Sequence, residues 1–238
     1  ISIKENKKHE KFVVQLSGYV SKIHGTCYKV SLSSGEKTLL KKDDKVNEGD
    51  TITTELKSYV SIIMDDLSTF SLGPKSEMRI VSYREDYKKT RNVLIDHIIG
   101  TIRTNVVKKN SPDGEIKIRT KTVSMGIRGT EFITSVSSDF ANVILFSGKI
   151  EIIDEATNRI LKVVQPHESV FIESLFGSIE LSSKFIVEEE LDEIKNKSLN
   201  FDNNENFNLN FNGTQPKIPE DSIDDSLKKL KPNQNFQK

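Results

Sequence analysis

The sequence predicts an all-β fold of many short strands in a β-solenoid-like or sandwich arrangement, followed by a short amphipathic helix and a tail. Apolar and polar residues alternate in short runs from residue 12 to about residue 181, as expected of strands with one buried face. Turn residues separate these runs at intervals of about 8–12 residues, which is typical of sandwiches, barrels and solenoids. No helix-length pattern of period 3.6 occurs before residue 183.

The alternating runs predict both the buried face and the turns of the β region. The residues assigned to the buried face include Val60, Ile62, Met64, Phe70, Leu72, Met78, Ile80, Ile116, Ile118, Ile150 and Ile152. The turns are assigned to Gly18, Gly25, Ser34-Gly35, Glu48-Gly49-Asp50, Asp65-Asp66, Gly73-Pro74, Gly100, Pro112-Asp113-Gly114, Gly148 and Gln165-Pro166. The apolar run from Val93 to Ile99 fits a buried strand or a short helical turn, and we favour the strand.

Composition divides the chain into four parts. Residues 1–11 are charged and are expected to be flexible, and residues 12–182 form the predicted β domain. Residues 183–198 read as an amphipathic helix with Ser183 as N-cap and with Val187, Leu191 and Ile194 on one stripe. Residues 199–238 form an asparagine-rich tail that is predicted to be disordered.

The tail leaves a second interpretation open. Phe207, Leu209 and Phe211 alternate with asparagines, so this stretch could instead add a strand to an exposed sheet edge.

Charge excludes a general attraction to nucleic acid or to an anionic membrane, because 35 Lys and Arg balance 35 Asp and Glu. Between residues 77 and 130, 12 basic residues face 6 acidic ones, and between residues 131 and 205, 6 basic residues face 15 acidic ones. The simplest interpretation is two solvated faces. The alternative is that the basic middle region contacts an acidic partner. No tryptophan is present to stack on bases, which also argues against nucleic-acid binding.

The sequence carries no recognisable reactive centre, so we expect no enzyme, no cofactor and no bound metal. None of the four histidines stands at zinc-ligand spacing from another histidine or from Cys27, the single cysteine. Asp96 and His97 are adjacent, so on a strand they point to opposite faces and do not form an acid–base pair. Asp43-Asp44 and Asp65-Asp66 could ligate calcium but fit turn formation better. No apolar run is long enough to span a bilayer.

The segment from Thr120 to Val136 is the most informative part of the chain. Gly126 and Gly129, three residues apart, mark a tight backbone passage between two extended runs, and Arg128 precedes the second glycine. Phe132, Thr134 and Val136 then alternate along one face of the next strand.

Several short motifs, in order along residues 18–172, resemble those of the FecR domain, an all-β module of the bacterial cell envelope. The structural fingerprint of this resemblance is Gly49, Asp50, Asp66, Gly100, Arg128, Gly129, Thr130, Phe132 and Gly148. The sequence departs from the family pattern at Leu67, where the family usually has glycine, and at Gln165-Pro166-His167-Glu168, which replaces an aliphatic-Gly-Gln step.

Arg128 has two possible roles. Its five donors could tie down carbonyl groups or a carboxylate between layers of the fold, which is the interpretation we favour, or they could bind a ligand.

The resemblance implies a non-enzymatic interaction or sensing module of a Gram-negative envelope, which works through protein–protein contacts in signalling or scaffolding. The expected partner is an envelope protein of unknown identity, contacted through edge strands and the basic middle region. Binding of a cell-wall glycan or a small ligand is the alternative. The resemblance also implies a periplasmic or otherwise exported protein. The first residue is Ile1 rather than methionine, which is consistent with removal of a signal peptide.

Overall fold

The computed structural model describes residues 13–107, 114–175 and 178–199, and these residues build two facing β-sheets and one helix. The predicted flexible N-terminal segment and nearly all of the predicted tail lie outside the described residues. The elements are β1 (Val13–Gln15), β2 (Gly18–His24), β3 (Cys27–Ser31), β4 (Lys37–Leu39), β5 (Lys45–Val46), β6 (Asp50–Thr54), β7 (Tyr59–Met64), β8 (Thr69–Leu72), β9 (Glu77–Asp86), β10 (Arg91–Asn105), β11 (Glu115–Arg119), β12 (Ser124–Ile127), β13 (Glu131–Val136), β14 (Phe140–Ser147), β15 (Ile150–Asp154), β16 (Arg159–Val164), β17 (Glu168–Leu175), β18 (Ser178–Phe185) and α1 (Glu188–Leu199).

Backbone pairing separates the strands into two sheets. Sheet A has the order β4-β3-β6-β9-β10-β11-β12-β15-β16, and β1 pairs with the far end of β9. Sheet B has the order β5-β2-β7-β8-β10-β13-β14-β17-β18. The β10–β11 pair is parallel, and the other ladders between described strands are antiparallel. Strand number rises from one side of each sheet to the other apart from the first few strands, and the sheets are not closed.

Strand β10 belongs to both sheets. Its first part, through Ile99, pairs with β9 in sheet A, and its second part, from Gly100, pairs with β8 and β13 in sheet B. The backbone turns at Gly100, whose φ is +90°, after a register shift between His97 and Ile99. From β11 onward, successive hairpins alternate between the sheets. The prediction of strand rather than helix for Val93–Ile99 is therefore confirmed.

The inner faces of the two sheets form one apolar core. The apolar residues named above for the buried face lie in this core, with exposure of 7% or less. Cys27 is fully buried, and burial raises the pKa of its thiol to about 12. The prediction of a mainly β protein is confirmed.

The helix begins later than predicted. Strand β18 continues through Phe185, and Ser183 pairs with Val170 in the β17–β18 ladder rather than capping the helix. The helix α1 starts at Glu188 with three glutamates in its first turn, where the positive end of the helix dipole favours them. Val187 precedes the helix and is 58% exposed, whereas Leu191 is buried.

Helix α1 covers part of the outer face of sheet B. The outward side chains Ile133, Ile144 and Phe146 are buried, although they lie outside the core between the sheets. Lys195 of the helix lies over the Phe146 ring at 5.7 Å and pairs with Glu131 at 3.1 Å. Strand β13 is therefore buried on both faces, whereas its sequence pattern had indicated only one.

Arg103 fastens the C-terminal end of α1 to sheet B. Its guanidinium donates to the Lys195 carbonyl at 2.9 Å and to the Ser198 hydroxyl at 2.7 Å, and it pairs with Glu131. Carbonyl groups in the last turn of a helix lack partners within the helix, and the negative end of the helix dipole favours a cation there. Nothing in the sequence pattern identified Arg103 for this role.

Candidate functional site

The segment from Arg128 to Thr130 is the passage from β12 in sheet A to β13 in sheet B. Gly129 has a φ of +59°, in the left-handed region that favours glycine. Thr130 is 1% exposed, and its amide and carbonyl bond the main chain of Val106 at 3.2 and 2.9 Å. The Thr130 hydroxyl donates to the Lys149 carbonyl at 3.1 Å. Backbone groups and one hydroxyl therefore hold this passage in place.

A second passage, from β14 to β15, packs directly against the first. Gly148 has a φ of +91°, and a Cβ atom on it would lie 2.5 Å from the Gly129 carbonyl oxygen. Only a residue without Cβ allows the two passages to approach so closely. Phe132, two residues after Thr130, is fully buried in the core. Gly129, Thr130, Phe132 and Gly148 thus form one structural unit.

Arg128 does not take the role of an internal buttress, so the interpretation favoured from sequence is wrong. Its side chain is exposed, and within the described part of the chain it makes no ion pair or hydrogen bond. The neighbouring passage exposes Lys149, which pairs with Glu151 at 2.7 Å. The main chain and hydroxyl of Thr130 are hydrogen-bonded without any contribution from Arg128. The guanidinium is therefore exposed to solvent.

The other five arginines between residues 77 and 130 are all ion-paired. Arg79 and Arg119 pair with Asp96, Arg84 with Glu48, Arg91 with Asp66, and Arg103 with Glu131. The excess of basic residues in the middle region therefore serves mainly to neutralise carboxylates within the fold. Among these arginines, Arg128 is the one that the described structure leaves available to a partner.

Asp66 is the centre of a buried polar cluster. Its carboxylate is fully buried and pairs with Arg91 at 2.5 Å. It also accepts hydrogen bonds from the Tyr83 hydroxyl at 3.0 Å and from the Ser68 amide at 3.0 Å. Burial, with the neighbouring Asp66 charge as the next contribution, raises the pKa of Tyr83. With its donors satisfied internally, this cluster holds the β7–β8 turn and is not a reactive centre.

Leu67 lies in the same turn and adopts a left-handed backbone conformation. Its φ is +69° and its side chain is 68% exposed. A left-handed conformation costs an L-residue about 1–2 kcal/mol. Because Asp66 is fixed by its partners on both sides, the turn retains this geometry despite the leucine.

Replacing Leu67 with glycine is expected to stabilise the protein by roughly 0.5–1 kcal/mol, since relief of backbone strain exceeds the entropy that glycine adds to the unfolded chain. Leu67→Ala is the matched control, because it removes the exposed side chain but keeps Cβ and hence the strain. Urea unfolding of the three proteins measures the difference. An equal gain in the alanine variant would contradict the strain argument.

His97 and Asp96 point to opposite faces of β10, as the sequence predicted. His97 is 1% exposed, and its ring nitrogens lie 2.7 Å from the Thr134 hydroxyl and 3.1 Å from the Gly100 carbonyl. Burial lowers the pKa of His97 to about 3, so the ring is neutral at physiological pH. On the outer face of sheet A, Arg119 and Arg79 hold the pKa of Asp96 below its usual range against the opposing effect of burial.

Three more fingerprint positions have structural roles. The amide of Gly49 donates to the Ile80 carbonyl at 2.7 Å, and Gly49 has a φ of +90°. The Asp50 carboxylate accepts the Asn47 amide at 2.9 Å and closes the turn before β6. At Gly100, a Cβ atom would lie 2.3 Å from the Ser76 hydroxyl oxygen. These residues determine backbone geometry and offer no catalytic group.

The described residues contain no group of three or more His, Cys, Asp or Glu side chains able to hold a metal ion. The carboxylates of Asp44 and Asp66 accept the Lys41 amide at 2.8 Å and the Ser68 amide at 3.0 Å, which are contacts typical of aspartates in turns. Within the described part of the chain, no helix is long and apolar enough to cross a membrane.

A polar groove of about 700 Å³ lies between hairpin turns at one end of the sheets. Residues lining it include Lys121, Asp139, Asp154, Thr157, Ser174 and Ser178.

Comparison with known proteins gives one family. The family model described as FecR protein matches residues 50–151, which extend from β6 to β15 and include the Arg128–Thr130 passage. No curated protein matches the chain.

Similar solved structures include two crystal structures, at 1.65 and 2.50 Å resolution, of a candidate anti-sigma factor from Parabacteroides distasonis ATCC 8503. They are 16% and 15% identical to this chain, each with a TM-score of 0.47. Each alignment covers 60% of this chain and 62% of the other, so the chain spans less than two thirds of their length. The ordered motifs lie on two facing sheets, and residues 50–151 match the family model, so this part of the chain is similar to FecR proteins.

Proposed function

We propose that this protein is a non-enzymatic interaction and sensing module of the cell envelope, which binds a partner protein through the surface around Arg128. The observation that carries the proposal is the exposed Arg128 side chain on a rigid passage between the sheets. The fork of donors on the guanidinium matches a carboxylate, and the fixed backbone means that binding orders only the side chain and not the main chain. The partner is therefore expected to present acidic side chains.

The FecR match supports a signalling or scaffolding role and a periplasmic or exported location. The polar groups that the structure describes support a binding module over an enzyme, because the buried histidine is neutral and bonded, and the buried carboxylates at Asp66 and Asp96 are paired with arginines. A polar group whose hydrogen bonds and ion pairs are all made within the fold is not available to bind a substrate. The exposed Arg128 differs from all of these groups.

Capture from envelope extracts tests the proposal. The full chain is immobilised, and bound proteins are recovered at low and at high salt; we expect a partner whose retention falls as salt screens the contact. Arg128→Ala should reduce the recovery of that partner at least about tenfold, as expected for loss of a charge-assisted hydrogen bond at an interface. Arg128→Lys should restore only part of it, because lysine lacks the planar fork.

Lys42→Ala is the matched control, since Lys42 is also an exposed cation but lies between β4 and β5, outside the region around Arg128. Equal recovery by wild type and Arg128→Ala would count against the proposed surface. Retention on purified peptidoglycan that does not depend on Arg128 would favour the alternative function, binding of a cell-wall glycan.

A further inference from the structure

The last strand of sheet B, β18, has one unpaired side among the residues that the structure describes. It forms eight consecutive pairs with β17 without a register shift, and no described strand pairs with its other edge. The other edges are short or irregular: β4 has three residues, β5 has two, and the ladder that holds β16 contains a register shift. A long and regular open edge is a template for a further strand, and proteins usually protect it.

The main-chain groups on the free edge can be assigned from the ladder. The amide of Ile186 donates to the His167 carbonyl at 2.7 Å, which continues the β17–β18 register by one pair. Because hydrogen-bonded pairs alternate along an antiparallel ladder, the even-numbered residues of β18 face β17 with their main chain. The odd-numbered residues, from Ile179 to Phe185, therefore direct their N–H and C=O groups toward the open edge.

Two pairs of side chains in β18 match about Ser182, while Leu181 and Ser183, directly beside it, differ in polarity. On the outer face, Glu180 and Lys184 lie two residues before and two residues after it, and both are exposed. On the inner face, Ile179 and Phe185 lie three residues before and three residues after it, and Phe185 is 71% exposed. An antiparallel strand with the same sequence would match this pattern if the two Ser182 residues stood opposite each other.

We propose that two copies of this chain associate through antiparallel pairing of β18 with β18 about a two-fold axis at Ser182. This register places Glu180 of each copy opposite Lys184 of the other, and Ile179 opposite Phe185. It pairs odd-numbered residues with odd-numbered residues, as the free main-chain groups require. Opposite charges and apolar side chains facing each other across strands each favour the pairing.

The symmetry explains why a second copy fits better than an unrelated strand. Each complementary contact occurs twice, and Lys184 is free enough to take part because its pair with Glu190 is at 3.6 Å with both side chains about half exposed. The inner-face residues Ile179 and Leu181 already pack against the core and remain partly exposed at its open end. Pairing of two copies would cover them and join the two B sheets into one.

Charge exchange tests the pairing on the full chain by sedimentation velocity over a range of concentrations. We expect a concentration-dependent dimer for the wild type. Glu180→Lys and Lys184→Glu should each raise the dimer dissociation constant about tenfold or more, because each creates two like-charged contacts. An equimolar mixture of the two variants should form a heterodimer, in which every contact is again complementary. Thermal unfolding checks that both variants are folded.

Cysteine substitution tests the register itself. Two Ser182→Cys side chains would stand at a non-hydrogen-bonded pair, where Cα atoms are about 4.5 Å apart and a disulfide can form. Ser178→Cys is the control, because in this register its two copies would be about 26 Å apart. Cys27 is buried and does not interfere. A chain that stays monomeric up to its solubility limit, or a dimer that survives both charge reversals and does not cross-link at residue 182, would overturn the proposal.

Discussion

Replacing Arg91 with methionine is expected to lower the free energy of unfolding by about 3–5 kcal/mol, because it leaves a buried carboxylate without its cation. The Asp66 side chain is fully buried, and that of Arg91 is 7% exposed, so water cannot replace the lost partner. Arg91 also donates to the Val107 carbonyl at 2.6 Å, which ties the end of β10 to the same cluster. Methionine keeps an unbranched apolar stem in place of the arginine stem but supplies no charge and no hydrogen-bond donor.

The matched control is Arg84→Met, the same substitution in an ion pair whose arginine side chain is 53% exposed. A pair with an exposed arginine is expected to contribute about 1 kcal/mol, since loss of that arginine side chain opens Glu48 to water. Tyr83→Phe isolates one hydrogen bond to Asp66 and is expected to cost about 1–1.5 kcal/mol. Urea unfolding of the four proteins gives the comparison. If Arg91→Met lost no more stability than Arg84→Met, the buried cluster would not have the role assigned here.

Gly100→Ala is expected to cost about 3 kcal/mol or more, because strain at a positive φ is combined with a collision in the backbone. The new Cβ atom would lie 2.4 Å from the Ser76 Cα atom and 2.6 Å from the Lys75 carbonyl oxygen. Neither neighbour can move away as the end of a flexible side chain would. The substitution also falls where β10 passes from sheet A to sheet B, so a local shift affects both sheets.

Gly35→Ala separates the two causes. Gly35 has a φ of +68°, and no atom lies within 4 Å of the position its Cβ would take. Only the backbone strain applies there, and the expected cost is about 1–2 kcal/mol. Equal losses at the two positions would show that the close approach at Gly100 is relieved elsewhere in the structure.

Period-two alternation was sufficient to predict the strands and the buried face, because side chains alternate between the two faces of a strand and only one face covers the core. It predicted Ile116 and Ile118 as buried, and it placed Asp96 and His97 on opposite sides of β10. The position at which β18 ends and α1 begins was predicted less well. Ser183 has the chemistry of an N-cap, but its pairing with Val170 extends the strand, and this tertiary contact overrides the local preference.

The sequence alone did not predict which charged residues form ion pairs with each other. Arg91 and Asp66 are distant along the chain, and nothing in their local pattern shows that both side chains turn inward. Arg103 reaches α1 over a separation of more than 90 residues. For the same reason Arg128 was assigned to the interior: its motif fixes the backbone through Gly129 and Thr130, while the direction of the arginine side chain depends on which neighbours are already satisfied.

Unfolding of Arg128→Ala by urea is the most direct test of the central claim, that the Arg128–Thr130 passage is held by its backbone and leaves the guanidinium for a partner. The free energy of unfolding should stay within about 0.5 kcal/mol of the wild-type value, as expected for an exposed side chain. A loss of about 2 kcal/mol or more would show that Arg128 supports the fold from within, and would contradict the proposed binding surface.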